Sequence, residues 1–215
     1  MARTEPFEKY YEKYEHWFTK NRYAYESELG AIKDILPDFN EAVEIGVGSG
    51  RFAAPLGIKK GLEPSGKMAD IAEKRGISVT EGAAEDMPFD DGSFDLVLMV
   101  TTLCFLDDVD KAFSEVYRIL KPGGYFINGF VDRDSRLGRT YQKIKEENVF
   151  YRLADFYSVE EVKTTLKKAG FRDFSFRQTI FKDLGDIKEV EKSKNGYGSG
   201  SFVVISSRKP DSIIE

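Results

Sequence analysis

The sequence has one cysteine, one histidine and one tryptophan in 215 residues, and these scarcities exclude whole classes of chemistry. Cys104 alone can form no intrachain disulfide. With His16 as the only imidazole, no Cys₄, Cys₂His₂ or His₃ zinc site can be assembled, so no metal is expected. A Ser-His-Asp triad is not expected either, because His16 lies in a charged, helix-patterned N-terminal segment. Long apolar runs are also missing. The longest, Leu96–Val100, falls far short of the ~20 residues that span a membrane, and Met-Ala-Arg-Thr-Glu-Pro-Phe-Glu-Lys has no apolar core of a signal peptide. A soluble cytoplasmic protein without a membrane partner is the expectation. Basic excess is absent as well: 37 acidic against 32 basic residues give a net charge of −5. That excludes a general nucleic-acid footprint and leaves room only for a local patch.

Aromatic residues are abundant instead, with 17 Phe and 11 Tyr, which excludes a disordered chain. At roughly 150 residues per domain the length predicts one domain with additions. Residues 6–36 look helical: Phe7, Tyr10, Tyr11, Tyr14, Trp17 and Phe18 recur at steps of three and four. A second helix is expected from about Tyr25 to Leu36, stopping before Pro37. From there short apolar runs (Ala42–Ile45, Gly61–Glu63, Ile77–Thr80, Phe94–Val100, Gly124–Val131) alternate with helical segments (Ser65–Arg75, Asp107–Leu120). That alternation predicts βαβ units and a parallel sheet, and strands apolar on both faces predict helices on both sides. Asp132–Tyr157 is charged and aromatic and partly helical. Ser158–Ala169 is a helix with Ser158 and Glu161 forming a capping box and Gly170 ending it. The runs Phe171–Ile180 and Ser201–Ser207, joined by a charged and then Gly-rich linker, predict an antiparallel hairpin. The organisation is a helical cap over 1–36, a main domain over 37–209 with 132–157 as a lid-like insert, and a loose tail over 210–215.

The strongest chemical signal is Val43-Glu44-Ile45-Gly46-Val47-Gly48-Ser49-Gly50, a strand running into three alternating glycines. Glycine permits a tight turn and close approach of a ligand at the carboxyl edge of the first strand, where open α/β sheets bind ligands. The dinucleotide pattern G-x-G-x-x-G fails, because its sixth position is Arg51. Glu63 ends the second strand, where a carboxylate can accept two hydrogen bonds from a ribose diol. It follows the last glycine by only 13 residues (63 − 50), against about 20 for the acid of a dinucleotide site.

These residues resemble the class I S-adenosylmethionine (SAM)-dependent methyltransferases, particularly the small-molecule type 11 group. Glu44 to Gly50 looks like that family's first motif, and Glu63-Pro64-Ser65 like its ribose-binding acid. Gly82-Ala83-Ala84-Glu85-Asp86-Met87-Pro88-Phe89 looks like the turn beside adenine. Phe94-Asp95-Leu96-Val97 resembles its fourth strand and Leu120-Lys121-Pro122-Gly123-Gly124 its turn into strand five. Phe156 to Glu161, through Ala169-Gly170-Phe171, resembles the last helix and its exit. The resemblance implies a Rossmann-like α/β fold with a seven-stranded, mostly parallel sheet whose last strand is antiparallel. It implies methyl transfer from SAM to a small-molecule acceptor, leaving S-adenosylhomocysteine.

The cofactor residues it implies are Glu44, Gly46, Val47, Gly48, Ser49, Gly50, Glu63, Pro64, Ala84, Glu85 and Thr101. Candidates near the acceptor are Tyr14, Trp17, Arg22, Thr102, Asp132 and Tyr141, with Arg22 a partner for the SAM carboxylate. Two departures stand out. Ala83 replaces the usual Asp, so Glu85, Asp86 or backbone amides must serve adenine. Cys104-Phe105 replaces a common His pair, leaving His16, Glu28, Asp132 and the tyrosines as candidate bases, none of which stands out. The absence of an N-P-P-[YF] or D-P-P-Y motif argues against nucleic acid as substrate. A non-catalytic SAM-binding module is the alternative reading, with a nicotinamide oxidoreductase behind it. The acceptor atom and the oligomeric state stay open.

Overall fold

The computed structural model of the chain describes residues 3–211; most of the tail expected over 210–215 lies outside them. The strands are β1 (Ala42–Ile45), β2 (Lys60–Leu62), β3 (Ser78–Thr80), β4 (Phe94–Val100), β5 (Leu120–Val131), β6 (Arg172–Thr179), β7 (Lys194–Asn195) and β8 (Phe202–Arg208). They form one sheet in the order β3-β2-β1-β4-β5-β8-β6-β7. Neighbouring strands from β3 to β5 are parallel, whereas β8 is antiparallel to both β5 and β6. The expected antiparallel hairpin is therefore β6 and β8. The eighth strand, β7, is a two-residue addition from the linker that pairs with Arg177 and Gln178 at the edge.

The helices are α1 (Glu5–Lys9), α2 (Tyr11–Lys20), α3 (Arg22–Lys33), α4 (Ala53–Leu56), α5 (Gly66–Lys74), α6 (Val109–Ile119), α7 (Arg136–Lys143) and α8 (Val159–Lys168). Side-chain caps start α5, α6, α7 and α8. Ser65, Asp108 and Ser135 accept from the backbone N–H of Met68, Lys111 and Gly138, and Ser158 with Glu161 forms the expected capping box on α8. Each supplies an acceptor to a donor that the helix leaves orphaned. The N-terminal segment breaks earlier than its pattern suggests. At Asn21 the side-chain amide donates to the Trp17 carbonyl and the backbone leaves helical geometry, so α3 runs over 22–33 rather than 25–36.

Strand side chains alternate between two apolar layers, as the two-residue period of a strand requires. In β4, Val97 and Met99 pack with Phe113 and Val116 of α6 and Leu166 of α8. Leu96, Leu98 and Val100 pack with Ile32 of α3, Phe52 and Ile58 on the other face. Burying β4 on both sides fixes its register, because a slip of one residue would exchange the layers. Chain order reverses between β1 and β4, which opens a crevice at their carboxyl ends. α1 and α2 lie over that crevice. Among the described residues no helix is long and apolar enough to cross a membrane.

Candidate active site

Past β1 the chain turns through Gly46, Gly48 and Gly50, with φ of +65°, +54° and +80°. The backbone N–H groups of Gly46 and Val47 donate to the Leu62 carbonyl at 2.8 and 3.0 Å, fastening the turn to β2. A side chain at Gly48 would stand 3.2 Å from the Tyr14 hydroxyl. Behind the turn, Val47 fills the space beside Gly61 and Gly50 packs on Ala72 and Ile77. The Ser49 hydroxyl donates to Glu15, and its carbonyl accepts from Arg75.

Glu63 follows β2 at the floor of the crevice. It accepts from the backbone N–H of Gly48 at 2.8 Å and of Ser65 at 2.9 Å. Burial pushes its pKa up to about 7, against the pull of those two hydrogen bonds. Glu44 is also buried, and its Oε2 has no hydrogen-bond partner among the described residues; burial raises its pKa well above the usual carboxylate range.

A first cavity opens along this edge. Gly46, Gly48, Glu63, Pro64, Ala84, Glu85, Thr101, Thr102 and Tyr14 all line it, with Ala83 and Leu106. Glu44, Val47, Ser49 and Gly50 stand behind its wall and shape it without lining it. A nucleoside with an amino-acid tail fits these features. The glycine turn leaves room that a Cβ would fill, the Glu63 carboxylate has lone pairs left for a ribose diol, and apolar Ala84 and Leu106 suit a base. Glu85 Oε1 already accepts from the backbone N–H of Asp107 at 2.8 Å and Asp108 at 3.3 Å, and Asp86 is exposed and outside the lining. Asp86 therefore does not supply the adenine partner that the methyl group of Ala83 cannot, and Glu85 is held at the start of α6.

A second cavity, of about 280 Å³, lies beneath α2 and the insert. Tyr14, Thr101, Phe7 and Phe105 line both cavities, so the two adjoin at these residues. Thr101 sits there with φ of +53°, unusual for a β-branched residue, and its N–H is held by the Gly129 carbonyl at 2.8 Å. The second cavity is walled by Trp17, Tyr141, Phe150, Tyr151 and Phe156 among other aromatics, and it contains Glu28. Glu28 is 3% exposed, and burial pushes its pKa up to about 8. Burial likewise raises the Cys104 thiol to about 12, and it lifts the Tyr14 hydroxyl above its ordinary value, assisted by Glu44, Glu63 and Glu15.

Two acceptor candidates stand elsewhere. Arg22 lines neither cavity; its side chain is 70% exposed and pairs with Glu26 one turn along α3 at 2.6 Å. The break at Asn21 starts a new helix there and turns Arg22 to solvent. Asp132 is buried but also lines neither cavity. It accepts from the Asp134 and Val159 backbone, tying the insert to α8. Thr102 reaches the first cavity, with its hydroxyl donating to backbone carbonyls of Gly46 and Val100 at 3.1 and 3.2 Å. His16 is exposed on α2 at the mouth of the second cavity.

Sequence reasoning missed Arg3, Phe7 and Leu106 in the first cavity and most of the insert's aromatic wall in the second. Arg3 donates to the Leu153 carbonyl and to Asp155, at 2.5 and 2.7 Å, which ties the residues just before α1 to the 132–157 segment. Glu28 carried a readable signal. It shares a helical face with Ala24, Ala31 and Ile32, all buried, so a carboxylate interrupts an apolar stripe.

Comparison with known proteins agrees with this geometry. Residues 43–128 match the family model of a methyltransferase domain. An uncharacterized protein of Methanocaldococcus jannaschii is 46% identical over 203 residues, covering 94% of this chain and 98% of that one. A crystal structure from Thermotoga maritima, described as a SAM-dependent methyltransferase and possible histamine N-methyltransferase, is 54% identical. Its TM-score is 0.94, over 96% of this chain and 99% of that one. Phosphoethanolamine N-methyltransferase 2 of Haemonchus contortus, solved with SAM, shares the fold alone, with a TM-score of 0.63 at 20% identity over 86% of this chain and 53% of that one. A glycine turn and Glu63 at the strand edge, joined to these similarities, make SAM the cofactor, and the chain belongs to the SAM-dependent methyltransferases.

Proposed function

We propose that the enzyme transfers the methyl group of SAM to a small organic molecule seated in the aromatic cavity, by in-line displacement. The observation that carries this reading is the junction of the two cavities at Tyr14, Thr101, Phe7 and Phe105. An acceptor held on one side faces a methyl donor held on the other. SAM, when bound, supplies an electrophilic methyl on a sulfonium centre.

The chain's part is to bind, orient and keep the site dry. Glu63 holds the ribose diol, and the backbone of Gly46 and Gly48 lets the tail lie close. Tyr14 closes the junction from α2. Its raised pKa keeps the hydroxyl protonated, as burial does for Cys104, so neither removes a proton from the acceptor at neutral pH. Orientation can supply as much as ~7–11 kcal/mol for well-placed reactants. The enclosed wall and the net charge of −5 favour a free small molecule over nucleic acid.

The test is calorimetric titration with SAM, S-adenosylhomocysteine and NADH, followed by transfer of labelled methyl across a panel of acceptors. Micromolar binding of the first two, silence of NADH and label on a small molecule are expected. Label appearing only on RNA or protein overturns the acceptor class; failure of SAM and its product to bind overturns the site.

A further inference from the structure

Glu28 is the one carboxylate among the described residues lining the aromatic cavity, and no hydrogen bond or cation of the described chain offsets its burial. Its charge is felt by the hydroxyls of Tyr141 on α7 and Tyr151 in the insert, and Tyr14, Cys104 and Tyr157 line the same cavity. The rings of Tyr141 and Tyr151 stack with centroids 4.3 Å apart, and their hydroxyls pair with each other. Lys13, His16 and Lys20 stand at the mouth on the exposed side of α2, in solvent that screens them.

A buried carboxylate without a partner is costly, and an apolar or amide side chain would fill the same space without that cost. The surrounding rings present π faces, which attract cations. An aromatic wall and a lone carboxylate complement an organic cation. They reject an anion through direct repulsion, and they leave a neutral acceptor with an unmatched carboxyl group.

We propose that the acceptor is a small organic amine recognised as its ammonium ion, that Glu28 is the residue that selects it, and that the ammonium proton passes to the Glu28 carboxylate, which frees the nitrogen lone pair before that nitrogen takes the methyl group. This rests on the aromatic cavity being the acceptor site. It goes beyond the description of the Thermotoga relative by assigning the recognition to one side chain and to charge.

Trp17 is the only tryptophan and lines the cavity, so its fluorescence reports occupancy. The probes are 2-phenylethylamine and its neutral isostere 2-phenylethanol, titrated into the full chain saturated with S-adenosylhomocysteine at about pH 8.5. There the carboxyl group is largely ionised and the amine still protonated. The expected result is at least tenfold tighter binding of the amine, with Glu28→Gln reducing that preference to within threefold. Equal binding of both probes to the unaltered protein overturns the proposal without relying on any variant's folding. An undiminished preference in a folded E28Q protein overturns it too, as does silence of Trp17 toward the amine. Saturation by S-adenosylhomocysteine is read separately by calorimetry, so failure of the cofactor reading and failure of amine selection are distinguishable.

Discussion

Thr102 occupies the space that a side chain at Gly46 would need: an added Cβ would lie closer than 3 Å to the Cβ, Cγ2 and Oγ1 of Thr102. The Thr102 hydroxyl also donates to the Gly46 carbonyl, so the ends of β1 and β4 are locked against each other. This contact makes the first glycine of the turn a packing requirement as well as a conformational one.

Gly46→Ala therefore meets two penalties, a φ of +65° and the clash. Together they are expected to cost about 2–4 kcal/mol and to abolish measurable SAM binding. Adding Thr102→Ala removes the two nearer atoms and should restore part of the stability, while the backbone strain stays. Denaturant midpoints of the single and double variants check this; equal midpoints would show that the clash is absorbed elsewhere.

Glu63 is the second fixed point. Glu63→Gln is expected to weaken SAM by ~1–3 kcal/mol, the scale of hydrogen bonds to a charged group. The sign of the pH effect follows from its pKa of about 7. A diol prefers the ionised carboxylate, so affinity should fall as pH drops below about 7 and flatten above it. The Gln variant should lose that slope. Calorimetry from pH 6 to 8 reads both effects, and an unchanged slope and affinity in the variant would remove Glu63 from the site.

Most of the framework was legible because its signals are local. β1 and β4 end where their apolar runs end, and the Ser158–Glu161 box declares the start of α8. The turn glycines and Glu63 were readable for the same reason, since a strand, a turn and an acid lie within 22 residues (42 to 63). The aromatic cavity was not. Its walls come from α2, β5 and the insert, and helical spacing of aromatics reads equally as core. Arg22 was misplaced because the helix breaks at Asn21, whose backbone is non-helical, and Arg22 faces solvent on the new helix and pairs with Glu26. β7 escaped notice because two residues carry no period.

The cap is fastened to the cofactor edge by Glu15 of α2. Its carboxylate takes the Ser49 hydroxyl and the guanidinium groups of Arg51 and Arg75, the last two at 2.5 and 2.6 Å. Burial would raise its pKa, but the hydrogen bonds from Arg75, Arg51 and Ser49 outweigh that and hold it low. Glu15→Ala leaves two half-buried guanidinium groups without their anion and should cost about 1–3 kcal/mol. Hydrogen exchange should quicken in 11–20 and in the glycine turn, with weaker SAM binding. Protection unchanged in both segments would mean that the aromatic contacts alone, such as Tyr14 on Phe18 at 5.1 Å, hold the cap.

Glu28 makes its own prediction for stability without any ligand. Burial raises its pKa from 4.5 to about 8, so between those values the folded chain keeps a proton that the unfolded chain releases. Stability from this group is full below about pH 4.5, falls as pH rises through that window and is lost above about 8. Glu28→Gln removes the titration while keeping the shape. Relative to the unaltered protein, the variant should gain stability between pH 5.5 and 8.5 by more than about 1.4 kcal/mol, the linkage of a single pKa unit. Glu44 and Glu63 are raised as well, but they titrate in both proteins and cancel in the difference. Denaturant unfolding of the two SAM-free proteins across that range decides it. Parallel curves would mean that Glu28 finds a compensating partner in solution, and the carboxyl group would then have no unmet charge to offer an ammonium ion.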